Sequence, residues 1–488
     1  MSHPGATRNF ESTLRALAER GHQVHLAFDR VEKQRHAGLW DLTNTLAAEY
    51  PGITAAEHPH PPASDWSWTS SRVRASVDYL RYLEPEFRDA TKVRRRAARD
   101  VPPRIERLVE SAPTAARRGM RATLRLAERS APLSASVVGY LDERRPDVVL
   151  VTPLLELGSI QVEFLRAANR MGIPTCLCVH SWDNLTNKGL VHELPDAITV
   201  WNDLQRDEAV RLHGVPAERV VVTGAPAYDH WFGWEPSRSR EEFAAAVGLD
   251  PGRPFVLYLG SSSFIAPDET AFLVEWVRGL AGHGVEMQVL ARPHPLNPLD
   301  GATGSNVVVF PAAGQDPTDE RSRNDYFDSI YHSSAATGVS TSAFLEAAIV
   351  GRPVLTVLDP RHAETQEGTL HFRHLLRAGG GLLHTARDYG DHAHQVAHAL
   401  AAPHPDGCVS ERSKRFTEAF IRPHGLDQPA TPLIADAIEA LPARKANGYR
   451  SVRRSRIIAG AVLARAARLA VEAEARRRRR ARRTHATR

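Results

Sequence analysis

Residues 331–357 read YHSSAATGVSTSAFLEAAIVGRPVLTV, and the reading of this stretch decides the fold. Ala335–Val339 is a short apolar run of the kind that forms a buried strand. Ser340, Thr341 and Ser342 then supply hydroxyls where a helix should begin, as N-caps do. Phe344, Leu345, Ala348 and Ile349 recur at one-face helical spacing. Gly351 is placed to end the helix, and Pro353 leads into a second strand, Val354–Leu358. Free N–H groups and hydroxyls at a helix start attract phosphate, and Glu346, one turn in, can reach a neighbouring hydroxyl or diol. The same residues also suit an ordinary strand–helix–strand crossover with good caps.

Downstream and upstream of this unit the same alternation continues. Phe255–Leu259 reads as a strand ending in Gly260-Ser261-Ser262-Ser263, and Asp268–Leu280 as a helix. Val285–Ala291 is a strand ending in Arg292-Pro293-His294-Pro295, followed by a strand Val307–Phe310, a helix Asp325–His332 and a last strand Gly381–Leu383. An earlier set comprises strands Asp147–Thr152, Thr175–His180, Ala197–Trp201 and Val220–Thr223, with helices Glu163–Met171 and Asp203–His213 between them. Strands alternating with helices predict parallel sheets. In such sheets ligands sit beyond the carboxyl ends of the strands, and GSSS, RPHP and GVSTS all fall at that edge. Gly224-Ala225-Pro226 reads as the turn that leaves the first set.

The start of the chain departs from this order. Thr7–Glu19 carries Phe10, Leu14 and Leu17 on one side, Gly21 ends that helix, and Gln23–Phe28 reads as a strand. The helix calls for a strand before it, yet only Met1 precedes Ser2-His3-Pro4-Gly5. The expectation is that the real start lies upstream, or that another segment fills the gap. Residues 52–145 read as an insertion, with a Pro- and Trp-containing loop and then Arg-rich helices from about 65 to 145, broken at Pro102-Pro103 and Pro113. Tyr79, Leu80, Leu83 and Phe87 form an apolar face, and Arg94–Arg96 and Arg117-Arg118 form basic clusters. A solvated helical excursion is expected, the alternative being a surface for a lipid-linked or polyanionic acceptor.

Composition bounds the function. The 488 residues carry a net charge of +5, but residues 444–488 hold 16 Lys and Arg against 2 Glu. Removing the +14 of that tail leaves −9 for the body, which argues against a nucleic-acid enzyme. The tail suits either a basic helix on anionic lipid or a solvated basic segment. Cys176 and Cys178 alternate along a strand and share a face, which is neither a metal spacing nor a redox pair; with Cys408 they complete the cysteines. A reducing, cytoplasmic setting is expected, with docking at the inner membrane face through the tail as an option.

The segments LAERGHQVHLAF (17–28), VVTGAPAYDHWF (221–232) and GVSTSAFLEAAIVGRPVLTV (338–357) resemble GT-B glycosyltransferases. Within that class the chain is similar to capsule and surface-polysaccharide transferases, CDP-glycerol glycerophosphotransferases and non-hydrolysing UDP-GlcNAc 2-epimerases. The resemblance covers most of residues 7–50 and 147–440 and lacks the usual first strand. It implies two Rossmann-like parallel-sheet domains facing a cleft. An acceptor-side domain would span 1–230 with a helical insertion, a nucleotide-donor domain 231–443, and a basic tail 444–488. It also implies metal-independent transfer, with a nucleotide-sugar as co-substrate and no cofactor.

Transfer from a nucleotide-sugar needs the leaving phosphate neutralised, the nucleotide held and an acceptor hydroxyl deprotonated. For phosphate, Arg292 offers a forked donor set beside His294, and the flanking prolines are expected to hold both outward. Ser261 and Ser262, with Ser340, Thr341 and Ser342, offer hydroxyl and backbone donors; their other role is capping. Glu346 resembles the acidic residue that holds ribose hydroxyls in the GT-B family. For the base, His180 and Asp183 are close enough to pair and tune the imidazole near neutral pH, and Glu156 competes, with His3 a third option. Trp182 is expected to stack on a sugar, and Asn184 and Lys188 to meet acceptor or phosphate. The alternative there is a loop pinned by Asx turns around a buried Trp. His362 and Glu367 border the donor pocket on this reading. The function expected is sugar transfer to a polysaccharide or lipid-linked acceptor, with a CDP-glycerol-type transferase or a non-catalytic scaffold as alternatives.

Overall fold

The computed structural model describes residues 1–29, 38, 40–59, 66–302, 306–314, 317, 319–402, 410–445, 465, 468 and 469. The readings made for Cys408 and for nearly all of the basic tail lie outside these. The chain divides into two units, Met1–Thr223 with Thr431–Arg488, and Gly224–Ala430.

Among the described residues, unit 1 holds six parallel strands, β1 (Val24–Phe28), β2 (Ile53–Glu57), β3 (Val149–Val151), β4 (Thr175–Cys178), β5 (Ala197–Val200) and β6 (Val220–Val222). They form two separate sheets, β1-β2 and β3-β4-β5-β6. One core joins Leu14, Leu26 and Phe28 with Cys176, Cys178 and Ala197, so both sheets pack on shared apolar ground, with the two cysteines on one face as read. Every residue of β4 and β5 is buried, as parallel strands covered on both faces require. The helix predicted over Thr7–Glu19 enters as a tight turn, Pro4–Phe10, and continues as Glu11–Glu19.

The segment after Ala430 is a correction. It was expected to close the donor domain, yet it belongs to unit 1. Ile434, Ala435, Ile438 and Leu441 are buried in the unit 1 core. Arg20 bonds Asp436 and Glu439 at 2.7 and 2.9 Å, and Thr431 meets Ser12 at 2.9 Å. An apolar helix looks the same in sequence whichever core it enters.

The insertion is a second correction. It breaks at the expected prolines into helices Trp66–Arg81, Thr91–Ala98, Pro103–Ser111, Thr114–Ser130 and Ala135–Arg144. The first is no solvated excursion, for nearly all of it from Val73 to Arg81 is buried. Its polar residues read as a wet face, but they find partners far away in sequence. Asp78 accepts the Leu190 amide at 2.8 Å and the Gly158 amide at 3.3 Å. Arg81 donates to the carbonyls of Leu185, Lys188 and Gly189. Arg96 of the next helix reaches Asn187, and Arg117 is bound to the Val109 and Glu110 carbonyls at 2.8 Å. These guanidiniums fasten loops.

Unit 2 is one parallel sheet of β7 (Phe255–Leu259), β8 (Gln288–Arg292), β9 (Val307–Val309), β10 (Ala335–Thr337), β11 (Val354–Val357) and β12 (Leu383–Ala386), in the order β12-β11-β10-β7-β8-β9. The stretch at 331–357 folds as read: β10, a helix Ala343–Val350 ended by Gly351 at φ +83°, then β11. Phe344 and Leu345 are fully buried, each worth about 1.5–3 kcal/mol of burial. The chain leaves β7 for β8 on one side and later returns to its other side as β10. That reversal places a crevice at the carboxyl end of β7, where ligands of such sheets bind.

Candidate functional site

Three loops meet at this reversal in unit 2. The loop after β7 begins at Gly260, where a Cβ would stand 2.8 Å from the His294 nitrogen; the loop after β10 begins at Gly338, where a Cβ would stand 2.5 Å from the Leu259 carbonyl. Any larger residue at either place would push the RPHP and GVSTS loops away from β7. The Ser340 amide donates to Ser261 Oγ at 3.3 Å, which ties the first loop to the start of the Ala343–Val350 helix.

Glu269, which sequence reasoning passed over, is the organiser beneath. Its carboxylate accepts the Ser261 amide at 2.9 and 2.8 Å, the Tyr258 hydroxyl at 3.2 Å and Asn297 Nδ2 at 3.1 Å. Burial pushes this carboxyl up to about 7 against those donors. A carboxyl raised in the folded state contributes stability that is present below its unfolded value near 4.5 and lost as pH rises through about 7. Between pH 5 and 8 the wild type is therefore expected to lose on the order of 3 kcal/mol through this group. Urea unfolding of Glu269→Gln across that range should give a flatter profile.

The sequence-predicted donor residues fare unequally. Arg292 was expected to point outward; instead, as the last residue of β8, it is only 7% exposed. Its guanidinium lies over the rings of Tyr326 and Phe310, 5.1 and 5.7 Å from their centroids, and makes a single 3.4 Å bond to the Asp325 carbonyl. Burial lowers it to about 10. Tyr326 in turn donates its hydroxyl to Glu346, so cation, ring and carboxylate form one line. His294 Nδ1 accepts the Leu296 amide at 3.0 Å, which puts the proton of the neutral ring on Nε2. Ser261 and Ser340 are buried, whereas Ser262 and Thr341 are partly exposed and Ser342 exposed. The expected Ser342 side-chain cap does not form; Thr341 Oγ1 takes the Ala343 amide at 3.4 Å instead. His362 packs edge-on against Phe272, and Glu367 pairs with Arg387 at 3.1 Å, so both serve the surrounding structure.

In unit 1 the predicted residues gather at the carboxyl ends of β3 and β4. His180 and Asp183 do not tune one another to neutrality. The Asp183 carboxylate accepts from Ser181 at 2.7 Å and Asn187 at 3.1 Å, while His180 Nδ1 lies 3.3 Å from Thr152 Oγ1. Burial lowers the imidazole to about 4, with Lys188, His3 and Arg8 adding to the shift and Asp183 opposing it. Trp182 is buried, so it offers no face for stacking on a sugar. Asn184 Oδ1 accepts the His180 and Ser181 amides at 3.2 and 3.1 Å, the Asx pinning weighed in the sequence. Glu156 behaves differently: desolvation raises its carboxyl, resisted by Lys188 and the chain's amino terminus and helped by Asp29, although the residue itself is exposed. Among the described residues no three His, Cys, Asp or Glu side chains converge as a metal ion requires.

No family model matches the chain, and no curated protein matches it in sequence. Solved structures do match. The co-structure of S. aureus MnaA with UDP is 13% identical, covers 93% of this chain and 98% of its own, and superposes with a TM-score of 0.50. A glycosyltransferase from Rickettsia africae is 9% identical over 91% of this chain and 96% of its own, with a TM-score of 0.49. A UDP-N-acetylglucosamine 2-epimerase described as such for Listeria monocytogenes is 11% identical over 90% and 94%, with a TM-score of 0.49. At these identities the likeness is one of fold: two parallel-sheet α/β units of GT-B-like build.

Proposed function

We propose that the chain is a nucleotide-sugar-dependent glycosyltransferase of the GT-B type. The observation that carries this is Arg292, a nearly buried guanidinium with several N–H donors and one long bond, at the sheet's reversal point. Such a group calls for an anion with oxygens at fork spacing, and a diphosphate supplies them. His294 Nε2–H and the donors of the Thr341–Ser342 helix start stand to share the phosphate charge. Glu346 holds the ribose hydroxyls. Unit 1 carries the candidate bases for an acceptor hydroxyl. Glu156 suits this better than His180, because a raised carboxyl is a stronger base at neutral pH than an imidazole near 4. The bond from the sugar's anomeric carbon to phosphate breaks, the acceptor oxygen takes its place, and the nucleoside diphosphate leaves with its charge held by Arg292. The acceptor on this reading is a polysaccharide or lipid-linked glycan, and neither a cofactor nor a nucleic acid takes part. The protein acts in the cytoplasm, where the basic tail would bring it to an anionic membrane face.

Thermal shift with UDP, GDP, CDP, dTDP and CMP tests the donor half. One nucleotide at a hundredfold its dissociation constant is expected to add about 2.7 kcal/mol of stability. A response to none of them would remove the transferase reading and favour the scaffold. Glycerophosphate transfer from CDP-glycerol would replace the sugar as the group moved.

A further inference from the structure

The arginines of the insertion sort into two sets. Arg74, Arg81, Arg96 and Arg117 turn inward, onto buried carboxylates and loop carbonyls. Arg99, Arg104, Arg118 and Arg129 are exposed, and among the described residues no carboxylate pairs with them. On the Pro103–Ser111 helix, Arg104, Arg107, Leu108 and Ser111 share one face and are all exposed, while Val109 is buried. Leu108 is 60% exposed, an apolar side chain set among arginines. On the Thr114–Ser130 helix, Ala115, Arg118, Ala122 and Arg129 share the exposed face, while Ala127 and Glu128 are buried. Arg117 ties the two helices together through the Val109 and Glu110 carbonyls. Neither exposed face includes an acid: Glu110 accepts the Tyr79 hydroxyl at 2.6 Å, and Glu128 meets His192 at 2.9 Å. Residues 88–129 hold 13 Lys and Arg against 5 Asp and Glu, a net of +8. Removing that +8 from the −9 of the body leaves −17 for the rest, so the positive charge is local. The basic tail touches the same region. The Arg468 guanidinium lies 5.0 Å from the ring centroid of Trp66, the first residue of the helix on which both helices pack, and Leu469 beside it is 60% exposed.

We propose that the outer faces of the Pro103–Ser111 and Thr114–Ser130 helices form a docking surface for an anionic lipid bilayer. This deepens the membrane reading of the tail given above by assigning a second, folded contact to unit 1. The partner follows from charge and shape. Unpaired guanidiniums match lipid phosphates, and their stems lie along the interface while the heads stay at the phosphate level. Leu108 enters the acyl boundary between them, as the apolar residue of an interfacial helix does. A soluble polyanion would leave Leu108 in water. A single-stranded nucleic acid calls for aromatic faces, and these two helix faces carry none. The inward arginines hold the helices in place, so the surface is formed before lipid arrives. Each basic group near an anionic leaflet is worth about fivefold in partition.

The test is co-sedimentation of the full chain with vesicles of phosphatidylcholine and phosphatidylglycerol in equal parts, against phosphatidylcholine alone. It is read without nucleotide, so it stands or falls apart from sugar transfer. The parent carries glutamine at each of Arg476–Arg480, which weakens the tail's own contribution. That parent should still bind the anionic vesicles and not the neutral ones. Adding Arg104→Gln, Arg107→Gln, Arg118→Gln and Arg129→Gln should lower its partition more than about 100-fold, with the urea unfolding curve unchanged. A fluorophore sensitive to polarity, placed at Leu108→Cys of the parent, should shift to the blue on anionic vesicles only. Partition unchanged by the four glutamines overturns the proposal and leaves the tail as the sole anchor. So does a fluorophore that stays in water on the vesicles. Tighter binding to heparin than to vesicles, indifferent to Leu108→Ser, overturns it in favour of a soluble polyanion.

Discussion

His192→Ala is expected to cost unit 1 about 3–5 kcal/mol, measured by urea unfolding at pH 7. The imidazole sits between two carboxylates, 2.8 Å from Asp78 and 2.9 Å from Glu128, with all three groups buried. Bonding two carboxylates requires a proton on each ring nitrogen, so His192 is an imidazolium. The two carboxylates outweigh burial and raise it to about 9, and the same contacts hold Glu128 down at about 2 despite burial. Removing the ring takes away the cation that both buried carboxylates bond, leaving Arg74 3.5 Å from Glu128 and 2.8 Å from Glu163. Adding Glu128→Gln to the alanine variant should recover part of the loss, because it removes one of those charges. The pH dependence follows from the signs. A histidine raised in the fold contributes stability that is complete below about 6.5 and lost as pH rises through about 9. Wild type should therefore weaken between pH 7 and 10 more steeply than His192→Ala. Asp78 also holds the Gly158 and Leu190 amides, in the loops that carry Glu156 and Lys188, so on the proposed function the same cluster would position the candidate base.

This network explains what the sequence showed and what it hid. Local signals were sufficient where the fold is local. YHSSAATGVSTSAFLEAAIVGRPVLTV carries its own strand, helix stop and second strand, and each lies where the pattern put it. RPHP and GSSS likewise fell at strand ends because short apolar runs ended there. The insertion was misread because its helix Trp66–Arg81 carries Arg74, Asp78 and Arg81 where an amphipathic pattern predicts water. Their partners are 54 to 114 residues away, a separation that no periodicity reports. Glu269 was hidden for the opposite reason: an acid in the first turn of a helix is so ordinary that only the Ser261, Tyr258 and Asn297 donors reveal its task. Trp182 and Asn184, read as ligand contacts or as loop pins, pin the loop, and polar and aromatic residues that do so have the same composition as those that bind a ligand.

Arg292→Ala is expected to weaken binding of the preferred nucleoside diphosphate by about 10- to 150-fold, the equivalent of about 1.5–3 kcal/mol for charge-assisted hydrogen bonds. The ligand-free protein should lose little or no stability, and that opposition separates a binding residue from a structural one. Burial depresses Arg292 to about 10, so the folded protein holds this cation at a cost, and one 3.4 Å bond to Asp325 offsets little of it. A basic group lowered in the fold costs stability at every pH below about 10, and the cost fades as pH climbs from there toward its unfolded value. Alanine removes that burden together with the stacking on Tyr326 and Phe310, two effects of opposite sign. Arg292→Lys keeps the charge but loses the fork and the flat contact with both rings, so affinity should fall between wild type and alanine. Glu346→Ala provides the contrast. It strands the Tyr326 hydroxyl and should weaken a ribonucleotide while leaving its 2′-deoxy analogue nearly unaffected. Isothermal titration of the three variants, beside their unfolding curves without ligand, reads both sides. An alanine variant that unfolds early yet binds as wild type would make Arg292 a packing residue and leave the diphosphate without its cation.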